Sequence, residues 1–194
     1  MFTTPIKHIS AAEFWEIMQR PENKDKHLEL VDGMLLEEGV NSTMTGGMHG
    51  ETAANILGFI WQFARQHKLG CVTAAETCYV LFQNPTGKDT IRCPDAAFVS
   101  FHRAPEPLPL EQVPFAPDLA IEVISPGNDA DEMHSKVLDF IKYGTRLVWV
   151  FYPWSQTVVV HTASGSKTLN IEDTLQGGEV LPGFSVVVRD IFPE

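Results

Sequence analysis

The chain has 194 residues, 44% of them hydrophobic and 20% charged. That is enough apolar material for a core and excludes wholesale disorder. With 14 basic residues against 25 acidic ones the net charge is −11, which argues against a generic basic coat for nucleic acid. It leaves room for a local basic groove, or for an acidic site that meets phosphate through a divalent metal. No apolar run approaches the roughly 18–20 residues of a membrane span. The opening Met1-Phe2-Thr3-Thr4-Pro5 lacks the layout of a signal peptide. Cys71, Cys78 and Cys93 make an odd count with no CxxC pair, so neither a disulfide framework nor a zinc ribbon is expected. These features point to a soluble cytoplasmic protein with no membrane partner.

In chain order, Ser10 with Glu13 three residues on forms a capping box and predicts a helix over 10–18. Residues 27–37 are strand-like, with Asp32-Gly33 as an internal turn. After a glycine-rich loop over 39–47, Ala53, Ile56, Leu57, Ile60, Phe63 and Ala64 fall on one stripe. They predict the longest helix, 48–68, stopped by Gly70. Residues 71–83 and 91–101 read as strands. The stretch 103–117 holds Pro105, Pro107, Pro109, Pro114 and Pro117, and so reads as an excursion between two strands. Residues 118–124 resemble a central strand, apolar on both faces apart from Glu122. An amphipathic helix over 129–143 stops at Gly144, and 147–152 is another buried strand. Short antiparallel strands follow at 158–160, 167–171 and 184–188. This order predicts an α/β fold, a mixed sheet flanked by helices with added antiparallel strands at both ends. One domain is expected, with an extension over about 1–45, a core over 46–155 and closing strands over 156–194.

Asp95 alternates with Cys93, Ala97 and Val99, and Glu122 with Ala120 and Ile124. A carboxylate inside an apolar strand costs several kcal/mol unless it is paired, hydrogen-bonded or bound to a metal. Two on consecutive strands invite Mg²⁺, which keeps most of its water and needs little beyond Asp95, Glu122 and a backbone carbonyl, taken as that of Val123. The alternative is that each acid caps a strand end or pairs with a buried cation. Lys136 sits at the edge of the stripe formed by Met133, Val137, Phe140 and Ile141. It either reaches over the sheet toward Glu122 or snorkels to solvent, whereas Lys142 points away. Three accessory candidates follow. Glu76 lies on an apolar face, either flanking the site or meeting solvent at a strand end. His49 opens the long helix, where phosphate is often held, or is a plain polar cap. Glu29 stands among Leu28, Leu30 and Val31, as a further site acid or bonded to the long helix. There is no Gly-Lys-Ser/Thr phosphate loop, GxGxxG, GxSxG elbow or HExxH helix.

Taken together, these residues resemble the Uma2 family, a branch of the PD-(D/E)xK nuclease superfamily. The likeness rests on Glu29-Leu30-Val31-Asp32-Gly33, His49 and Arg92-Cys93-Pro94-Asp95-Ala96-Ala97-Phe98-Val99. It continues through Glu122-Val123-Ile124-Ser125-Pro126, Lys136, Gly144, Val148-Trp149-Val150 and Leu181-Pro182-Gly183-Phe184. The resemblance implies a restriction-endonuclease-like fold and a Mg²⁺-dependent DNA endonuclease, with Mn²⁺ as substitute. In it Asp95 and Glu122 hold the metal and Lys136 steadies the attacking water or the scissile phosphate. The superfamily's usual lysine lies two residues after the Glu, where this chain has Ile124; Uma2-like members supply it from the next helix. Where relatives often close a strand with Asp-Pro, this chain has Tyr152-Pro153. Superfamily members often cut both strands as dimers, so a homodimer through the apolar C-terminal strands is expected by analogy. Two rival readings are a DNA-binding or regulatory protein that keeps the fold without catalysis, and a metal-dependent hydrolase of another phosphate ester.

Overall fold

The computed structural model describes residues 8–38, 46–104 and 107–193. The opening segment tested for a signal sequence, most of the glycine-rich loop and Pro105 lie outside the described residues. Helix α1 (Ala11–Met18) begins with the expected capping box, Ser10 and Glu13 each satisfying the other's backbone N–H. It buries Ala11 and Phe14 against Leu28 and Leu30 of β1 (His27–Val31). A two-residue turn joins β1 to β2 (Met34–Glu38), with positive φ at both Asp32 and Gly33, as such hairpins require.

Helix α2 (Gly47–His67) buries Ile56, Ile60 and Ala64 from the expected stripe. Its stop is not Gly70. Lys68 takes the left-handed C-cap, at φ 51°. Gly70 instead opens β3 (Gly70–Ala74), where an added Cβ would stand 2.1 Å from the Val99 carbonyl oxygen. The glycine is there for close strand packing.

Each of the next two expected strands divides in two. Residues 71–83 break at Glu76, which has φ 69°, into β3 and β4 (Tyr79–Phe82). Residues 91–101 break at Cys93-Pro94-Asp95 into β5 (Thr90–Arg92) and β6 (Ala96–Ser100), since Pro94 has no N–H for a ladder. The halves go to different sheets. β4 and β5 join the N-terminal hairpin in a four-stranded sheet of order β2-β1-β5-β4. One position beyond the Tyr79–Arg92 pair, Cys78 and Cys93 form a disulfide with Cα atoms 4.1 Å apart. This corrects the expectation of no disulfide: the odd count leaves Cys71 outside a real cross-strand bridge.

β3 and β6 enter the large sheet together with β7 (Leu119–Val123), β8 (Leu147–Tyr152), β9 (Thr157–Thr162) and β10 (Gly165–Leu169), in the order β10-β9-β8-β7-β6-β3. β7 and β8 pair in parallel, as α3 (Ala130–Lys142) crosses over between them; the sheet's other pairs are antiparallel. Gly144, at φ 101°, ends that crossover. A hairpin of β11 (Thr174–Gln176) and β12 (Ser185–Val187) closes the chain. One face of the large sheet packs Phe98, Ile121 and Trp149 against α2 and the C-terminal Phe184 and Ile191. The other packs Ala97, Ala120, Val148 and Val150 against Val137 and Phe140 of α3. The proline-rich excursion lies along β4, exchanging Val80 N–H to Val113 O at 2.9 Å and Val113 N–H to Cys78 O at 3.0 Å. Among the described residues, no helix is long and apolar enough to cross a membrane.

Candidate active site

β6 runs antiparallel to β7 with Ala96 opposite Ile121. One step further along that register sets Asp95 opposite Glu122, at the carboxyl end of β7, on the face covered by α3. Asp95 does not continue the strand. Its Oδ2 accepts the Val123 N–H at 2.7 Å, doing for that amide what a backbone carbonyl would do in a longer ladder. The same oxygen lies 3.5 Å from Nε2 of His49, in the first turn of α2. Burial pushes the Asp95 pKa up, but the bonds from His49 and Val123 and the charge of Lys136 outweigh it. The pKa ends below the usual carboxylate value, so the group is held ionised.

Behind Asp95 sits a cluster of buried charge. Nζ of Lys136 is 3.1 Å from Oε1 of Glu122 and 3.1 Å from Oε1 of Glu29, and donates to the Cys93 carbonyl at 3.2 Å. Glu29 also accepts the Cys93 N–H at 2.7 Å and Nη1 of Arg92 at 2.6 Å. The other edge of the Arg92 guanidinium donates to Oδ2 of Asp139 at 2.6 and 3.0 Å. Glu29, Arg92, Glu122 and Lys136 are each 3% exposed or less. Burial raises the Glu29 pKa, yet Lys136 and Arg92 beside it bring it below its ordinary value. Four acidic side chains (Glu29, Asp95, Glu122 and Asp139) are thus gathered with two basic ones, Arg92 and Lys136. The cluster has a surplus of acids over bases, and two of those acids, Asp95 and Glu29, line a cleft of about 370 Å³. Lys24, Lys26 and His27 also line that cleft, as do Cys78 and Cys93 of the bridge.

Asp95, Glu122, Lys136, His49 and Glu29 are thus brought together. Glu76 is exposed on the turn between β3 and β4 and lines the same cleft, with no bond to the clustered charges among the described residues. Val123 meets Asp95 through its amide. Two of the alternatives weighed for these residues fail. Lys136 does not snorkel, and the bonds of Glu29 go to Arg92, Lys136 and Cys93 instead of the long helix. Arg92 and Asp139 were not anticipated. The signal for Arg92 was a lone cation in the apolar run Thr90-Ile91-Arg92, matching the lone Glu29 of β1. Asp139 stands three residues after Lys136, close to the same helix face.

The donors the site offers a cation are oxygens, which suit a hard ion such as Mg²⁺. Among the described residues, no three His, Cys, Asp or Glu side chains converge as a ready-made metal cage. An ion here would rest on two carboxylates and complete its shell with water and phosphate.

No curated protein matches the chain. Among solved structures it resembles a crystal structure from Anabaena variabilis described as "a putative nuclease belonging to DUF820". The TM-score is 0.73 at 19% identity, over 94% of this chain and 97% of that one; the two share the fold. Residues 11–189 match the family Uma2, whose description is "Putative restriction endonuclease", and the chain belongs to that family.

Proposed function

We propose that the chain is a metal-dependent nuclease that hydrolyses DNA phosphodiester bonds internally, with Asp95, Glu122 and Lys136 as its reacting centre and Mg²⁺ or Mn²⁺ as its ion. The observation that supports this most is the surplus of acids over bases in the cluster, four to two, with Asp95 and Glu29 lining the cleft. A divalent cation held by Asp95, Glu122 and the Val123 carbonyl would neutralise that surplus, stabilise charge on the phosphate oxygens and make a water acidic. The chain's own groups do the positioning. Asp95 commits Oδ2 to Val123 and His49. Lys136 orients Glu122 and sets a fixed positive charge beside the place where the reaction gathers negative charge. His49, at the start of α2, adds a donor where helix N–H groups favour phosphate.

A second reading has one observation in its favour: Lys136 is shared with Glu29 and enclosed at 2% exposure. In that reading it is a structural cation, and the protein is a nuclease-fold module that binds DNA without cutting it. Plasmid cleavage with Mg²⁺, Mn²⁺ and Ca²⁺ separates the two, with Asp95→Asn as the control for contaminating nucleases. Mg²⁺ and Mn²⁺ should support cleavage, whereas Ca²⁺, with its looser coordination, should support binding alone. Lys136→Met should lower cleavage more than about tenfold, or roughly 1.4 kcal/mol of barrier, and the exposed Lys142→Ala should change little. Binding without cleavage in every metal supports the module; cleavage that persists in Asp95→Asn sinks the assigned site.

A further inference from the structure

A second cavity, of about 280 Å³, lies among residues next to the same centre. Its floor is Ile124, Met133, Val137 and Val150, and Tyr152 and His161 stand in its walls. Three of these floor residues are neighbours of the site along the chain or across the sheet. Val150 is the parallel partner of Glu122, Val137 follows Lys136, and Ile124 lies two residues beyond Glu122. Asp95, Glu122 and Lys136 do not line the pocket themselves; these neighbours connect it to them.

The size and lining of the pocket narrow what it can hold. Its volume is just under the roughly 300–1,000 Å³ common for small-molecule sites, so it takes one compact group and not a second strand. Ile124, Ala130, Met133, Val137 and Val150 supply its apolar lining, Tyr152 an aromatic ring, and Asn128, Asp129, His134 and His161 its polar groups. Among them, Asn128 has its Oδ1 committed to the Ser125 N–H at 2.6 Å, so what it offers a ligand is its N–H₂. An apolar slot with an aromatic wall and a few edge-directed polar groups suits a planar heterocycle. Just past Tyr152, in the turn between β8 and β9, Trp154 is 92% exposed. It is a large ring held out in solvent at the carboxyl end of the strand that pairs with β7.

We propose that this pocket is a base-binding subsite, which takes one unstacked nucleobase of the strand held at Asp95 and Glu122, with Trp154 stacking on the strand just outside it. The inference rests on the nuclease reading and deepens it. The protein selects positions where a base leaves the stack at low cost, as in single strands, mismatches and frayed ends. Duplex DNA without such a position is the poorer substrate.

The test walks a single abasic site along a labelled single-stranded oligonucleotide. Binding is measured in Ca²⁺ and cleavage in Mg²⁺. In the wild-type protein one register should weaken binding about tenfold when its base is missing, with its neighbours little changed. Ala130→Phe fills the pocket mouth from an exposed position. Together with Trp154→Ala it should abolish that dependence while melting temperatures stay at the wild-type value. Cleavage with equal affinity at every register overturns the subsite and leaves the nuclease standing. Base dependence that survives Ala130→Phe overturns this pocket as its source. Failure to bind or cut any nucleic acid in any metal overturns the nuclease reading and the subsite with it.

Discussion

Glu29 holds Arg92, Lys136 and the Cys93 amide together, so its loss leaves two buried cations short of partners. Removing one member of a buried ion pair costs about 3–5 kcal/mol. Glu29→Gln should therefore lower urea stability by that order, while Glu76→Gln, exposed on its turn, should stay within about 0.5 kcal/mol. Acid should act through the same groups. Glu29 and Asp95 have folded pKa values below their ordinary 4.5 and 3.8, despite the opposing effect of burial. Folding then favours their ionised forms. The stability they contribute is complete above about pH 4.5 and is lost as pH falls through the lowered folded values. Melting temperatures recorded from pH 6 downward should fall more steeply for the wild type than for Glu29→Gln, and parallel curves would remove Glu29 from the acid response. Much of this site was legible in the sequence because acids stood where apolar residues belonged. Asp95, Glu122 and Glu29 each interrupt an apolar strand. Arg92 and Asp139 escaped notice because they complete the network from elements that only the folded chain brings together.

At the scale of elements, the helices were readable almost to their ends, and the strands were not. α1 and α3 announce themselves through Ser10 with Glu13 and through Asp129, whose side chain caps the N–H groups of Asp131 and Glu132. The segments 71–83 and 91–101 keep their alternation through the break, so nothing in their pattern shows that each serves two sheets. Pro94 was the one visible mark; the left-handed turn at Glu76 had none, since glutamate rarely adopts it. The break has a consequence for stability. The bridge at Cys78 and Cys93 spans 15 residues and ties β4 to β5 in the small sheet. Closing a loop of that length is worth about 3 kcal/mol in the chain-entropy account. A thiol reductant, or Cys78→Ser, should lower urea stability by up to that amount. Cys71→Ser should not reproduce the loss, because Cys71 is outside the bridge.

Over the whole molecule, the net charge of −11 opposes an approach to DNA. The fold brings Asp25, Glu29, Glu76 and Asp95 to one cleft, which Lys24, Lys26 and His27 also line. Binding to duplex DNA should be weak without divalent metal and should tighten by roughly tenfold or more with Mg²⁺ or Ca²⁺, as the ion removes repulsion at short range. Titrations by fluorescence anisotropy, with and without chelator, measure this. Tight binding that ignores the chelator would count against the metal-bridged reading. The overall layering was legible from element order alone: a long helix, then antiparallel strands, then a helix crossing between buried strands. What composition could not show was the separation into a large sheet carrying β7 and a small one carrying Glu29. The charged cluster closes only where these two sheets meet.

That meeting has a consequence for how opening of the molecule could be watched. The amides of Cys93 and Val123 are hydrogen-bonded to site carboxylates, Glu29 and Asp95, in place of backbone carbonyls. Their exchange with deuterated solvent is therefore governed by side chains that belong to the centre itself. Cys93 should exchange when β5 parts from β1 within the small sheet, and Val123 when Asp95 swings away. Two peaks in an amide spectrum would then time, separately, the opening of the small sheet and the release of the Asp95 carboxylate.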